Sequence, residues 1–190
     1  MLLSDRDILY EMACHGLVIE NAEDPQFQPA SVDLRLGLAL RKLGKDPFLI
    51  TRNGYPLRPW QFILGDTWER ICIPPHLAAQ FMGRSSLGRL GLQVHCTAGF
   101  VDPGFQGTLT VELCNLSNQV ITLTPGQPIG QLCFLRLSSV AQRPYGHPEL
   151  GSHYQGQAGP AASALLTPRS RSASVIPAQE RKPKPTTKLR

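Results

Sequence analysis

The sequence predicts an all-β domain, and three observations carry that prediction. Val32, Leu34, Leu36, Leu38 and Leu40 alternate with Asp33, Arg35, Gly37 and Ala39, the period-2 pattern of a half-buried strand. Further short apolar runs follow at Gln61–Leu64, Trp68–Ile73, Leu92–Cys96, Thr108–Leu113, Val120–Leu123 and Gln131–Leu137. Turn residues separate them, among them Pro74-Pro75, Pro103-Gly104 and Pro125-Gly126. Many short strands with frequent turns describe a barrel or sandwich rather than an α/β fold.

In chain order, one short helix comes first. Ser4 is placed to cap it, Asp5 and Asp7 lie in its first turn where negative charge suits the helix dipole, and Gly16 stops it. The strand signals begin after it. His76–Met82 reads as one or two helical turns ending at Gly83. From about Gly156 the pattern dissolves into Pro, Ser, Ala, Thr and basic residues, which predicts disorder. The expected division is a domain over 1–155, the end of a lid over 156–168, and a basic tail over 169–190.

Composition narrows the function classes. The chain has 190 residues, 42% hydrophobic and 17% charged, an ordinary make-up for a soluble domain. No apolar run approaches the roughly 20 residues that span a bilayer, and the N-terminus lacks a signal-peptide h-region, so the expected address is cytoplasmic, without a membrane partner. The net charge is +5. From Arg169 onward seven bases face one acid, so the tail carries +6 and the remainder −1. The basicity therefore argues little for nucleic-acid binding by the folded part. The five cysteines are widely spaced with no CxxC pair, which reads as reduced thiols and not as a zinc site.

Three segments could do chemistry. Gly83-Arg84-Ser85-Ser86-Leu87-Gly88-Arg89 offers two guanidinium forks and two hydroxyls suited to phosphate oxygens, without the Lys-Ser/Thr ending of a P-loop. Taken alone, it reads more readily as a solvated turn with ordinary surface arginines. Asp102, in Asp-Pro-Gly, is a candidate base or sugar ligand, or simply the first residue of a turn. Glu112 lies among apolar neighbours in Thr108-Leu109-Thr110-Val111-Glu112-Leu113-Cys114. Buried, it suits proton transfer; but it shares a face with Thr108 and Thr110, and the alternation alone favours exposure.

The run GRSSLGRLGLQVHCTAGFVDPGFQGTLTVELCN resembles the core signature of the dCTP deaminases, which share a superfamily with the trimeric dUTPases. The resemblance extends through TPGQPIGQLCF and RPYGHPELGSHYQGQAGP and covers about residues 1–163, least clearly over 43–80, which looks shortened. It implies a distorted jelly-roll-type β-barrel with a few short helices, assembled as a homotrimer with sites between subunits. It implies hydrolytic deamination of dCTP to dUTP, with Glu112 taking a proton from water and passing it to N3 and the leaving amine. Ser85 and Arg89 would position that water and the glutamate. Arg84 and Ser86 fall on phosphate contacts, within a binding run that takes in Leu87 and Gly88. Asp102 would read the 3′-hydroxyl and the Thr110–Val111 backbone the base, with Gln131, Tyr145 and Gln157 as further nucleotide contacts. Mg²⁺ would ride on the triphosphate, and dTTP is a candidate inhibitor. Zinc is not expected, because the zinc deaminases' pairing of an H-x-E with a P-C-x-x-C is missing.

His153 departs from the family, which usually places Lys or Arg there against the terminal phosphates. His95 reads as structural. The alternatives are a bifunctional deaminase and dUTPase that releases dUMP and pyrophosphate, which the TAGF segment resembles, or a plain dUTPase in which Asp102 activates water. A non-catalytic nucleotide sensor, or a nucleic-acid binder working through the tail, is the rival of another class; intact Arg84, Ser85, Arg89, Asp102 and Glu112 argue against it.

Overall fold

Apolar residues on alternate positions of successive strands put one continuous core inside an antiparallel sheet. The computed structural model describes residues 1–22 and 26–165. The basic tail expected from 169, and the last part of the lid segment, lie outside the described residues.

Helix α1 spans Asp5–Cys14, with Ser4 Oγ accepting from Asp7 N and Gly16 in the left-handed region at φ 79°. It is fixed by a buried carboxylate as much as by Ile8. Glu11 is fully buried and accepts from His76 Nε2 at 2.7 Å and from Arg136. Burial pushes its pKa up, but the bonds from His76 and Arg136 outweigh that and hold the carboxyl below the usual range.

The strands are β1 (Val18–Ile19), β2 (Phe27–Gln28), β3 (Ser31–Arg41), β4 (Pro47–Leu49), β5 (Tyr55–Leu57), β6 (Phe62–Cys72), β7 (Leu77–Gly83), β8 (Leu92–Gln93), β9 (Phe100–Val101), β10 (Gln106–Asn115), β11 (Ile121–Leu123) and β12 (Pro128–Arg136). The main sheet runs β8-β10-β6-β3-β12-β7-β9, with β1 on β6 and β2 and β4 on β3; β11 pairs with β5. Every one of these pairings is antiparallel. The sheet curls around Leu34, Leu36, Ile63, Val111, Leu132 and Phe134, all fully buried. The all-β expectation is met.

Three local expectations are corrected. His76–Met82 is not helical. It forms β7, with Leu77, Ala78, Ala79 and Phe81 buried between β12 and β9, so sheet pairing overrides the helix-tolerant composition of Leu-Ala-Ala-Gln. The two runs 61–64 and 68–73 belong to a single strand, β6. Gly65 bridges them because a side chain there would crowd Leu36, Val111 and Leu113. The run 84–89 is not an open turn but a short helix, α2 (Ser85–Arg89), seated by Leu87 against the core.

Candidate active site

β10 presents Thr108, Thr110 and Glu112 on one face, while Leu109, Val111 and Leu113 are buried on the other. Glu112 is half-buried, so neither the fully buried nor the fully exposed reading of the alternation holds. Its Oε2 accepts from the Cys96 amide at 2.7 Å, and its own N–H donates to Val94 O at 3.0 Å. Glu112 thus enters a cavity of about 480 Å³ already held by a main-chain donor.

The same cavity is lined by Asp102, Thr110, Tyr145 and Gln157, so five of the sequence-derived residues share one space. Asp102 arrives on the turn that its sequence announces: Phe105 N donates to Asp102 O at 3.2 Å, and Gly104 takes φ 89°. Both readings of Asp102, turn and site, therefore apply together. Phe62, Leu64, Phe100, Phe105 and Leu109 supply the apolar wall. His95 also lines it, with Nδ1 buried and unpartnered in the described structure.

The segment after β12 closes the cavity from outside. Tyr145 N donates to Pro103 O at 2.7 Å, and the Tyr145 hydroxyl accepts from Tyr154 N at 3.0 Å. Gln155 ties the strap down, accepting from Gln106 N and donating to Gly104 O. Gln157 donates from its amide to Thr108 O at 2.7 Å. The strap then runs along the polar face of β10, where Gly159 N donates to Thr108 Oγ1 and Ala161 N to Thr110 Oγ1. Sequence reading missed Tyr154 and Gln155. Their neighbours in the Tyr-Gln-Gly-Gln run drew attention instead; Gln155 joins segments about fifty residues apart, whereas Tyr154 bonds within the strap, to Tyr145 and Ala164.

The remaining site residues stand apart from this cavity. Among the described residues its lining includes none of 84–89 and not Gln131. Arg84 pairs with Asp33 at 3.5 Å, and Gln131, beside Asp33 in the β12–β3 register, accepts from Ser31 Oγ at 3.2 Å. Burial pushes the Asp33 carboxyl up, against the pull of Arg84. Ser85, Ser86, Gly88 and Arg89 are exposed on α2, and Leu87 is partly buried against the core. His153 is exposed on a smaller neighbouring pocket of about 300 Å³ that it shares with Asp102, Arg143 and Tyr154. The expected site residues thus fall into two groups: a carboxylate cavity under the strap, and an exposed arginine-serine helix.

A family model described as dCTP deaminase-like matches residues 2–137. The chain belongs to the dCTP deaminase-like family. Curated relatives agree. The dUMP-forming dCTP deaminase of Leifsonia xyli subsp. xyli is 47% identical over 180 residues, covering 86% of this chain and 90% of the relative. That of Rhodococcus opacus is 48% identical over 180 residues, covering 86% and 95%. Among solved structures, the 2′-deoxycytidine 5′-triphosphate deaminase from Agrobacterium tumefaciens shares the fold with a TM-score of 0.61 at 22% identity, over 70% of this chain and 47% of that one. Both relatives are named as dUMP-forming. That favours the bifunctional alternative over the release of dUTP that the motifs suggested first. Among the described residues no helix is long and apolar enough to cross a membrane.

Proposed function

We propose that this dCTP deaminase-like chain carries out both hydrolyses on one nucleotide, turning dCTP into dUMP. The first consumes water and dCTP and yields dUTP and ammonia; the second consumes water and dUTP and yields dUMP and pyrophosphate. The observation that carries the reading is that Glu112 and Asp102 line the same cavity. Each hydrolysis needs a water activated at a different place, C4 of the base and the α-phosphorus, and a pair of carboxylates at separate points of one cleft can serve both.

In this reading Glu112 deprotonates the water that attacks C4 and returns the proton to N3 and the departing amine. Asp102 first reads the 3′-hydroxyl and then serves the water directed at the α-phosphate. Ser85 and Arg89 orient the first water and Glu112, and Arg84, Ser86 and Gln131 hold the phosphates. Because these groups do not line the Glu112 cavity of their own chain, this reading completes the site with a second copy, as in a homotrimer. The strap carrying Tyr145, His153 and Gln157 covers the nucleotide.

Mg²⁺ fits as an ion carried in by the triphosphate. Among the described residues no three His, Cys, Asp or Glu side chains converge, so phosphate oxygens and water would supply most of its ligands. When bound it offsets phosphate charge. Two measurements test the proposal. Purified protein given dCTP and Mg²⁺ should release dUMP and pyrophosphate; accumulation of dUTP as the end product would refute the second step. Prolonged chelation followed by Mg²⁺ alone should restore full activity, whereas recovery only with zinc would overturn the assignment of the proton work to Glu112.

A further inference from the structure

The connection from Val94 to Gly99 passes directly over Glu112 and is stapled at both ends. Glu112 N donates to Val94 O at 3.0 Å, and Phe81 N donates to Gly99 O at 2.7 Å. Between these staples the Cys96 amide reaches the Glu112 carboxylate. A hydrogen bond from a main-chain N–H to a carboxylate is charge-assisted and short, and it fixes which oxygen is spoken for. Here the oxygen so held is Oε2.

Gly99 makes this arrangement possible. A Cβ at that position would stand 2.7 Å from Phe81 O and 3.2 Å from His95 Cε1. The Gly99 backbone is not left-handed, so lack of space, not conformation, is what demands glycine. The strand opposite cannot retreat. Phe81 is paired with Leu132 of β12, its ring lies over Gly130 where a side chain would collide with it, and Ala79 and Gln80 pair with Val101 and Phe100 of β9. Any side chain at 99 therefore moves the 94–99 connection and not β7.

We infer that Gly99 is a positioning residue: by letting the chain press against Phe81, it holds the Cys96 amide on the Glu112 carboxylate. This rests on the reading of Glu112 as the base. A second consequence lies in the Cys96 thiol. Burial, and then the neighbouring Glu112 carboxylate, push that thiol up, so it is kept protonated and unreactive while the connection stays in place.

Two variants test the inference. Gly99→Ala adds the offending atom, and Cys96→Pro deletes the donor without adding anything beside Phe81. Both should lose kcat for dCTP on the order of 10²-fold, the effect expected of a catalytic group misplaced by about 1 Å, with KM little changed. In Gly99→Ala, alkylation of Cys96 by iodoacetamide, followed on its peptide by mass spectrometry, should also speed up as the thiol leaves the carboxylate. If Gly99→Ala does not fold, Cys96→Pro carries the test. Wild-type kcat in the folded variants, or a loss confined to KM, overturns the inference; so does unchanged Cys96 alkylation in a folded Gly99→Ala. A Glu112→Gln protein that stays active removes the underlying reading. An inert Glu112→Gln beside a fully active Gly99→Ala sinks the positioning claim alone.

Discussion

Asp66 shows what a single residue contributes in this sheet. It sits on β6 opposite Thr110, where the β10 register slips, and its Oδ1 is buried without a partner. A Cβ at Gly37 would run into this carboxylate, so the glycine makes room for it. Desolvation raises its pKa to about 6, although the Asp66 and Ala39 amides pull the other way. The folded state therefore binds the proton more tightly than the unfolded chain. The contribution is most favourable below the ordinary carboxylate pKa and is lost as pH rises through about 6. Asp66→Asn, neutral at every pH, should gain stability over the parent of about 2 kcal/mol at pH 8 and little at pH 4, read as the melting-temperature difference at the two pH values. An equal gain at both would show that charge is not the cause. Legibility at this scale followed side-chain chemistry. Glu112 and Asp102 drew attention because carboxylates in apolar surroundings are conspicuous, and their expected roles came from the family resemblance. Gly99 and the Cys96 amide were not, because a main-chain donor has no signature of its own and a close approach is visible only in three dimensions.

Among the elements, those with strict alternation were read correctly: β3 and β10 fall within a residue or two of expectation. Two of the errors have one origin. β7 and the middle of β6 owe their conformation to neighbours on both sides, and segments such as Leu-Ala-Ala-Gln and Gly-Asp-Thr hold no local preference strong enough to reveal it. The strap is the element on which the proposed function turns. Its bonds to Thr108, Thr110, Gly104 and Gln106 come largely from main chain and amides. Truncation after Leu150 should leave the sheet folded, because β12 ends at Arg136, yet cripple turnover of dCTP. A truncated protein that turns over normally would show that the strap does not serve the site. His153 belongs to the adjoining pocket with Asp102. His153→Lys should lower KM for dCTP, since a lysine ammonium puts a strong point charge and three donors where the phosphates would lie. No change in KM would mean that His153 does not meet the phosphates.

For the whole molecule, separation of the α2 helix from the Glu112 cavity is the decisive feature. The sequence places both in one signature, Gly83 to Asn115, but adjacency in the chain did not bring them into one pocket. If the site forms between copies, two inactive variants should rescue each other. Glu112→Gln and Arg89→Ala subunits, unfolded, mixed and refolded together, should recover activity that neither shows alone, because some interfaces would unite an intact Glu112 with an intact Arg89. No recovery in demonstrably mixed oligomers would return the whole site to a single subunit.

The division of labour between two carboxylates is the central claim, and Glu112→Gln tests it when dCTP and dUTP are supplied in parallel. The change preserves shape and removes basicity. Turnover of dCTP should fall by at least the roughly 10²-fold that general-base loss implies. Conversion of dUTP to dUMP should continue, because Asp102 is untouched. Deamination retained above about a tenth of the wild-type rate would contradict the role of Glu112. Equal loss of both reactions would contradict the assignment of the second water to Asp102.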